Sequence, residues 1–166
     1  LPGCLADDTM EVRNYYDDYS GCYSDVIPED TSYPVGRLTC VEDTSGWTGF
    51  RYDAEGRVAE KIWGANDYTS VVKIKYVYYD NNVVKSVTVD IPGSEYVTEY
   101  GLDDYGRMST VTANGEVVSY GYTVKSLIDY INFANDVATD YSYDARDRVS
   151  DIIIDGFNED ETFDLD

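Results

Sequence analysis

The chain has 166 residues, enough for one domain of ordinary size. It carries 33 Asp and Glu against 12 Lys and Arg, a formal net charge of −21, and it has no histidine. Such acidity repels nucleic acid and anionic membranes. The missing histidine excludes Ser-His-Asp and Cys-His catalysis and any His-containing zinc site. No run approaches the roughly 20 apolar residues of a membrane-spanning helix. A hydrophobic content of 43%, with 18 tyrosines, argues against a disordered acidic chain.

Residues 1–33 read as a loop-rich N-terminal cap. Tyr15-Tyr16-Asp17-Asp18-Tyr19 has neither helical nor strand period, and Pro28 and Pro34 interrupt the stretch after it. Cys4, Cys22 and Cys40 all fall in the first quarter of the chain. A disulfide there would staple a weakly cored segment and would suit an oxidising, extracytoplasmic setting. Three is an odd number, so one thiol stays free or pairs between molecules. Leu1-Pro2-Gly3-Cys4 has the form of a lipobox, which makes Cys4 a candidate for lipidation as well as for a disulfide. The setting expected is secreted or cell-surface.

Residues 34–166 repeat. Gly36-Arg37-Leu38 recurs as Gly56-Arg57-Val58, as Gly106-Arg107-Met108 and, degenerately, as Asp147-Arg148-Val149. Ahead of three of these stand Tyr52-Asp53, Leu102-Asp103 and Tyr143-Asp144. Tyr79-Asp80 and Tyr122-Thr123 fit the frame as weaker copies, and Phe163-Asp164 opens one more. The aromatic-Asp pair is expected to close a strand. Asp caps the turn, Gly supplies positive φ, and Arg opens the next strand. A second turn returns the chain at Asn114-Gly115, Pro92-Gly93, Gly64–Asp67 and Asn135-Asp136.

Period-2 runs rich in Val, Ile, Thr and Tyr, such as 68–79 and 137–144, predict strands. About twelve are expected between 37 and 165, with no helical stripe. The fold class is all-β, an antiparallel meander of hairpin repeats about 20 residues long. Twelve strands rarely stay flat, so a curled sheet, a barrel or a short solenoid is expected. Apolar residues on both faces of several strands call for bulges or for two covered faces.

The motif residues Tyr52-Asp53-Ala54-Glu55-Gly56-Arg57-Val58, Tyr143-Asp144-Ala145-Arg146-Asp147-Arg148-Val149 and Leu102-Asp103-Asp104-Tyr105-Gly106-Arg107-Met108 resemble the YD-repeat (Rhs-type) family. The chain also resembles small acidic surface lipoproteins of gut-type Bacteroidetes built from such hairpins. The resemblance covers roughly residues 33–166. It implies a β-hairpin architecture and an extracytoplasmic setting, and it implies no chemistry. Six repeats are too few to form the cargo-enclosing shell of the larger family members.

Three groups of residues are candidates for function. Tyr76, Tyr78, Tyr96, Tyr100, Tyr120, Tyr122 and Tyr141 are expected to form cross-strand ladders, which could stack on sugar rings or on another protein. Tyr52, Asp53, Gly56, Arg57, Asp103, Gly106, Arg107, Tyr143, Asp144 and Arg148 are expected to form a structural ladder of turns. Phe163 and Leu165 could add to a neighbouring molecule by strand pairing and so build a filament. Asp7-Asp8, Asp17-Asp18, Asp103-Asp104 and the acidic tail could offer oxygens to calcium, but no segment has a calcium-loop spacing. No metal site, cofactor or catalytic pair is assigned. The expectation is a non-enzymatic structural or surface protein whose partner is itself, a glycan or a surface protein. The rival is a binding module with a tyrosine face.

Overall fold

The computed structural model describes residues 12–19, 33–65 and 71–156, and the backbone of 161–164. Its strands are β1 (Arg13–Tyr16), β2 (Leu38–Glu42), β3 (Gly46–Tyr52), β4 (Val58–Ala65), β5 (Val71–Tyr78), β6 (Val84–Ile91), β7 (Ser94–Leu102), β8 (Met108–Ala113), β9 (Glu116–Tyr122), β10 (Ile128–Asn132), β11 (Ala138–Tyr143), β12 (Val149–Asp155) and β13 (Glu161–Asp164). They form one meander in which strand order equals sequence order. The order is open, with β1 and β13 at its ends. A barrel closed by hydrogen bonds, one of the three expected forms, is therefore excluded.

Twelve strands fall within 37–165, as the period-2 runs predict. The thirteenth corrects the reading of the N-terminal segment. Residues 13–16 form β1, which pairs antiparallel with β2 through Asn14↔Val41 and Tyr15↔Cys40. Four residues are too short to show a period, so β1 is decided by its neighbour rather than by its own pattern.

Two compact units divide the chain, residues 1–82 with 87–96 and residues 83–86 with 97–166. In the first, Tyr19, Cys40, Trp47 and Ile62 are buried, with Tyr15 and Val71 packed against them. Cys40 and Ile62 lie in one cross-strand row through Gly49, and Trp47 faces Gly64. Beside them Arg51 donates to Glu60 at 2.9 Å, pairing a carboxylate that is 8% exposed. In the second unit Thr139 is the most buried of the described side chains, and most apolar residues are half-buried.

The turns explain the register. Asp53 N–H donates to Arg57 O at 3.0 Å, and Gly56 N–H donates to Asp53 O at 3.0 Å. Gly56 takes φ 84°, the left-handed position of a turn closed by a bulge. Arg51 pairs with Glu60 but Tyr52 pairs with Val58, so Ala59 has no partner. The same shift sets Leu102 against Met108, Tyr122 against Ile128 and Tyr143 against Val149. Each bulge moves the alternation by one residue beside the turn, but Ile152–Ile154 and Ile62-Trp63 pair in unbroken register, with Ile153 and Trp63 exposed on the second face. At the opposite end, Asn114 (φ 53°) and Gly115 (φ 83°) make the two-residue hairpin that Asn-Gly signals. Phe133–Val137 instead makes the longer turn, closed by Phe133 N–H to Val137 O at 2.8 Å with Asp136 at φ 63°, and the pairing beside it has no bulge. Gly64 and Ala65 belong to β4, and the turn after them lies outside the described residues.

One repeat is out of frame with its sequence reading. Asn82 N–H donates to Tyr79 O at 3.0 Å, and Asn82 takes φ 66°. Tyr79 thus holds the position of Asp53, Tyr78 that of Tyr52 and Val83 that of Arg57. Two adjacent tyrosines hid the frame, because Asp80 lies in the turn and not at its base.

Candidate functional site

The recurring Asp, Arg and Tyr form a clasp that joins a turn to the next one on the same side of the sheet wherever the arginine and the next tyrosine are both present. Asp53 accepts the Arg57 backbone N–H at 2.8 Å and its Nε at 2.6 Å. Asp103 does the same with Arg107 at 2.9 and 2.7 Å, and Asp144 with Arg148 at 3.0 and 2.7 Å. One carboxylate therefore closes the turn and fixes the guanidinium. The guanidinium then lies over the next repeat's ring. Arg57 sits 4.5 Å from the Tyr78 centroid and Arg107 sits 4.4 Å from that of Tyr122, while Arg37 lies 5.4 Å from that of Tyr52. The tyrosine hydroxyl donates back to the residue after the arginine. Tyr52 reaches Leu38 O at 2.6 Å, Tyr78 Val58 O at 2.8 Å, Tyr122 Met108 O at 2.7 Å and Tyr143 Ile128 O at 2.7 Å.

The outer nitrogens of Arg57 and Arg107 reach the left-handed residue of the next turn, while Arg37 Nη1 donates to Tyr33 O at 2.6 Å. Arg57 Nη1 donates to Asn82 Oδ1 at 2.8 Å, and Arg107 Nη1 donates to Ser126 Oγ at 3.0 Å. This gives a reason for Asn and Ser where the motif has Gly. They accept positive φ at a modest cost and supply an acceptor. Where the motif arginine is missing, at Leu127, Lys125 Nζ reaches Asp147 Oδ1 at 2.5 Å. That substitution escapes a reading of the repeat because the cation has moved two residues along the turn.

Partial burial works to raise the pKa of Asp53 and Asp103, but hydrogen bonds from the Arg57 and Arg107 side chains and backbone outweigh it and hold both below the ordinary carboxylate value. Asp144 is lowered by the backbone N–H of Arg148 and then by its guanidinium. Burial raises Tyr52 and Tyr78, helped by Tyr19 at the first and by the charge of Asp53 at the second. These shifts are consequences of the clasp itself.

The candidate tyrosines separate into two kinds. Tyr78 and Tyr122 have their hydroxyls committed to the clasp. Tyr76, Tyr96, Tyr100, Tyr120 and Tyr141 lie within strands. Tyr96 is exposed and the others are half-buried. Directly paired residues share a sheet face. In the second unit the rows Tyr100–Val111–Val118, Tyr120–Ile131–Thr139–Ile154 and Tyr141–Ile152 therefore lie on one face. The opposite face carries Glu99, Asp140, Asp151 and Asp155.

Of the remaining candidates, Cys40 is fully buried and disulfide-bonded. Cys4, Cys22 and Leu165, and the side chain of Phe163, lie outside the described residues. Asp17 accepts the Gly36 N–H at 2.6 Å, and Asp43 caps its turn through Ser45. Among the described residues no three His, Cys, Asp or Glu side chains gather to hold a metal ion. No described helix is long and apolar enough to cross a membrane.

No protein-family model and no curated protein sequence matches the chain. Solved structures do match. A crystal structure of TcdB2-TccC3-TEV aligns with TM-score 0.68 at 15% identity, over 91% of this chain. A Photorhabdus luminescens Tc holotoxin pore carrying a TccC3 mutation gives 0.66 at 16% over 91%. TcdB2-TccC3 without its hypervariable C-terminal region gives 0.64 at 16% over 86%. The chain spans about 8% of the length of each of these. What it shares with them is the fold, and that fold is a YD-repeat-like β-sheet module.

Proposed function

We propose that the chain is a non-enzymatic structural module of an extracytoplasmic or cell-surface assembly. The observation that carries this reading is the clasp. The residues that recur most regularly (Asp, Arg and the turn tyrosine) spend their polar groups on one another and on backbone carbonyls, which leaves them as connectors between hairpins. A disulfide at Cys40 favours an oxidising compartment. The fold neighbours are parts of multi-component toxin complexes, which favours a partner that is protein. The open strand order favours attachment by strand addition, to a second copy or to another β-protein, and repetition of that contact builds a filament.

Negative-stain electron microscopy and light scattering of the unreduced protein test this. Filaments or a concentration-dependent oligomer support strand addition. A monodisperse monomer at high concentration removes self-assembly and leaves a module that depends on another protein. Turnover of a substrate by the purified chain would overturn the non-enzymatic reading.

A further inference from the structure

On one face of the second unit the clasp uses Tyr122 and Tyr143, at the strand ends beside the turns, and leaves the strand interiors unused. On the register rows from β7 to β12 that face carries Tyr100, Val118, Tyr120, Ile131, Tyr141 and Ile152, with Glu116 at its rim. Apolar area on a sheet is normally covered. Here Tyr120 and Tyr141 remain half-buried, and Phe133 is 42% exposed. Phe133, Val118, Glu116 and Asn135 line an open hollow of about 340 Å³ beside this row. Unlike Tyr122 and Tyr143, whose hydroxyls bind backbone carbonyls, Tyr120 and Tyr141 have no hydrogen-bond partner among the described residues.

We propose that this face binds a neutral, linear polysaccharide. Sugar rings present apolar C–H faces and hydroxyl edges. Tyrosine rings match the first, and the hydroxyls of Tyr120 and Tyr141 with Asn135 and Glu116 match the second. Charge decides the class of polymer. A chain of net charge −21 repels polyanions, while a cationic partner would be drawn to the opposite face with Glu99, Asp140, Asp151 and Asp155. Away from the turns, Glu116 is the only charge among the described, register-paired residues of the tyrosine face on β7 to β12, which leaves that area for a neutral ligand. Periodicity argues for a polymer. Tyr100, Tyr120 and Tyr141 stand on β7, β9 and β11, each about 9.6 Å across the sheet and two residues, about 7 Å, along the strand from the one before, in a regular diagonal.

The test is native affinity electrophoresis of the whole chain through gels holding xyloglucan, hydroxyethyl cellulose, mannan or starch, with polygalacturonate as the anionic comparison. The expected result is retardation by at least one neutral polymer and none by polygalacturonate. Tyr120→Ala and Tyr141→Ala should each weaken binding about tenfold, as expected for loss of one stacking ring. Asp140→Asn, on the opposite face, should leave binding unchanged. If an alanine variant loses its β-sheet circular dichroism, Tyr120→Phe and Asn135→Ala decide instead, the first retaining most of the binding and the second weakening it. The proposal is overturned if no neutral polymer retards the protein, or if the tyrosine variants bind like the parent. It is also overturned if the same variants abolish a concentration-dependent dimer, since a second copy would then occupy the face.

Discussion

Arg57, Arg107 and Arg148 carry the same motif position but meet different surroundings. Arg57 and Arg107 are 24% and 23% exposed, stack on a ring and reach the next turn, whereas Arg148 is 70% exposed. Exposed ion pairs contribute little, while a partly desolvated stack with charged hydrogen bonds contributes more. Arg57→Ala should therefore cost about 1–2 kcal/mol of unfolding free energy and Arg148→Ala less than about 0.5 kcal/mol. Urea unfolding of the two variants side by side checks this ordering. Equal costs would mean that the stack adds nothing. Thr39 offers the opposite test. It is fully buried, and its Oγ1 has no hydrogen-bond partner among the described residues. Replacing an unsatisfied buried hydroxyl with a methyl is close to neutral or stabilising. Thr39→Val should hold or raise the thermal midpoint, and a clear drop would reveal a partner for that hydroxyl.

At the level of the hairpin, the turn at 123–127 is an incomplete copy. Thr123 Oγ1 accepts the Leu127 N–H at 3.2 Å, a longer bond than the 2.8 Å from Arg57 to Asp53. Thr123→Asp with Leu127→Arg would restore the carboxylate, the guanidinium and a stack over Tyr143. The double variant should gain about 0.5–1.5 kcal/mol, in the range of other substitutions toward a consensus. Each single variant should gain less, because half a clasp leaves one charge unpaired. The alternation and the place of Tyr122-Thr123 at the repeat spacing made this element readable as a hairpin. The Lys125–Asp147 contact was not readable, because it joins residues 22 apart that meet only when two turns stack. Likewise the Tyr78-Tyr79-Asp80 frame could be settled only by which amide closes the turn.

On the scale of the whole chain, the lowered carboxylates predict an acid limit. Asp53, Asp103 and Asp144 have folded-state pKa values below the ordinary value of about 3.9, so their contribution is complete above that pH. It is lost as pH falls through the folded values, when the carboxylates must take up protons. Stability should decline below about pH 4, and a variant with Asn at all three positions should be less stable at neutral pH with a shallower acid decline. An unchanged acid profile in that variant would assign the acid limit to other carboxylates. The disulfide at Cys40 predicts a second asymmetry. It lies in the buried cluster of the first unit, whereas Thr139 is the most buried of the described side chains in the second. Reductant should lower the unfolding free energy of the first unit by about 2–4 kcal/mol and leave exchange protection of the second nearly unchanged. Hydrogen exchange with and without reductant separates the two.

The twelve strands within 37–165, their antiparallel order and most of the turn sites were legible in those residues, because side-chain alternation and turn chemistry are local properties. Charge balance and the missing histidine likewise bounded the chemistry without any fold. Other features needed atoms that the chain brings together from afar. Pairing with β2 makes β1 a strand, and the pairing register decides which tyrosines share a face. Stacked turns also decide which tyrosine hydroxyls are spent: Tyr122 donates to Met108, and Tyr120, two residues away, does not. That distinction is invisible in one dimension, since both are tyrosines on the same strand. It arises because only a residue beside a turn lies within reach of the carbonyl that the previous turn leaves open.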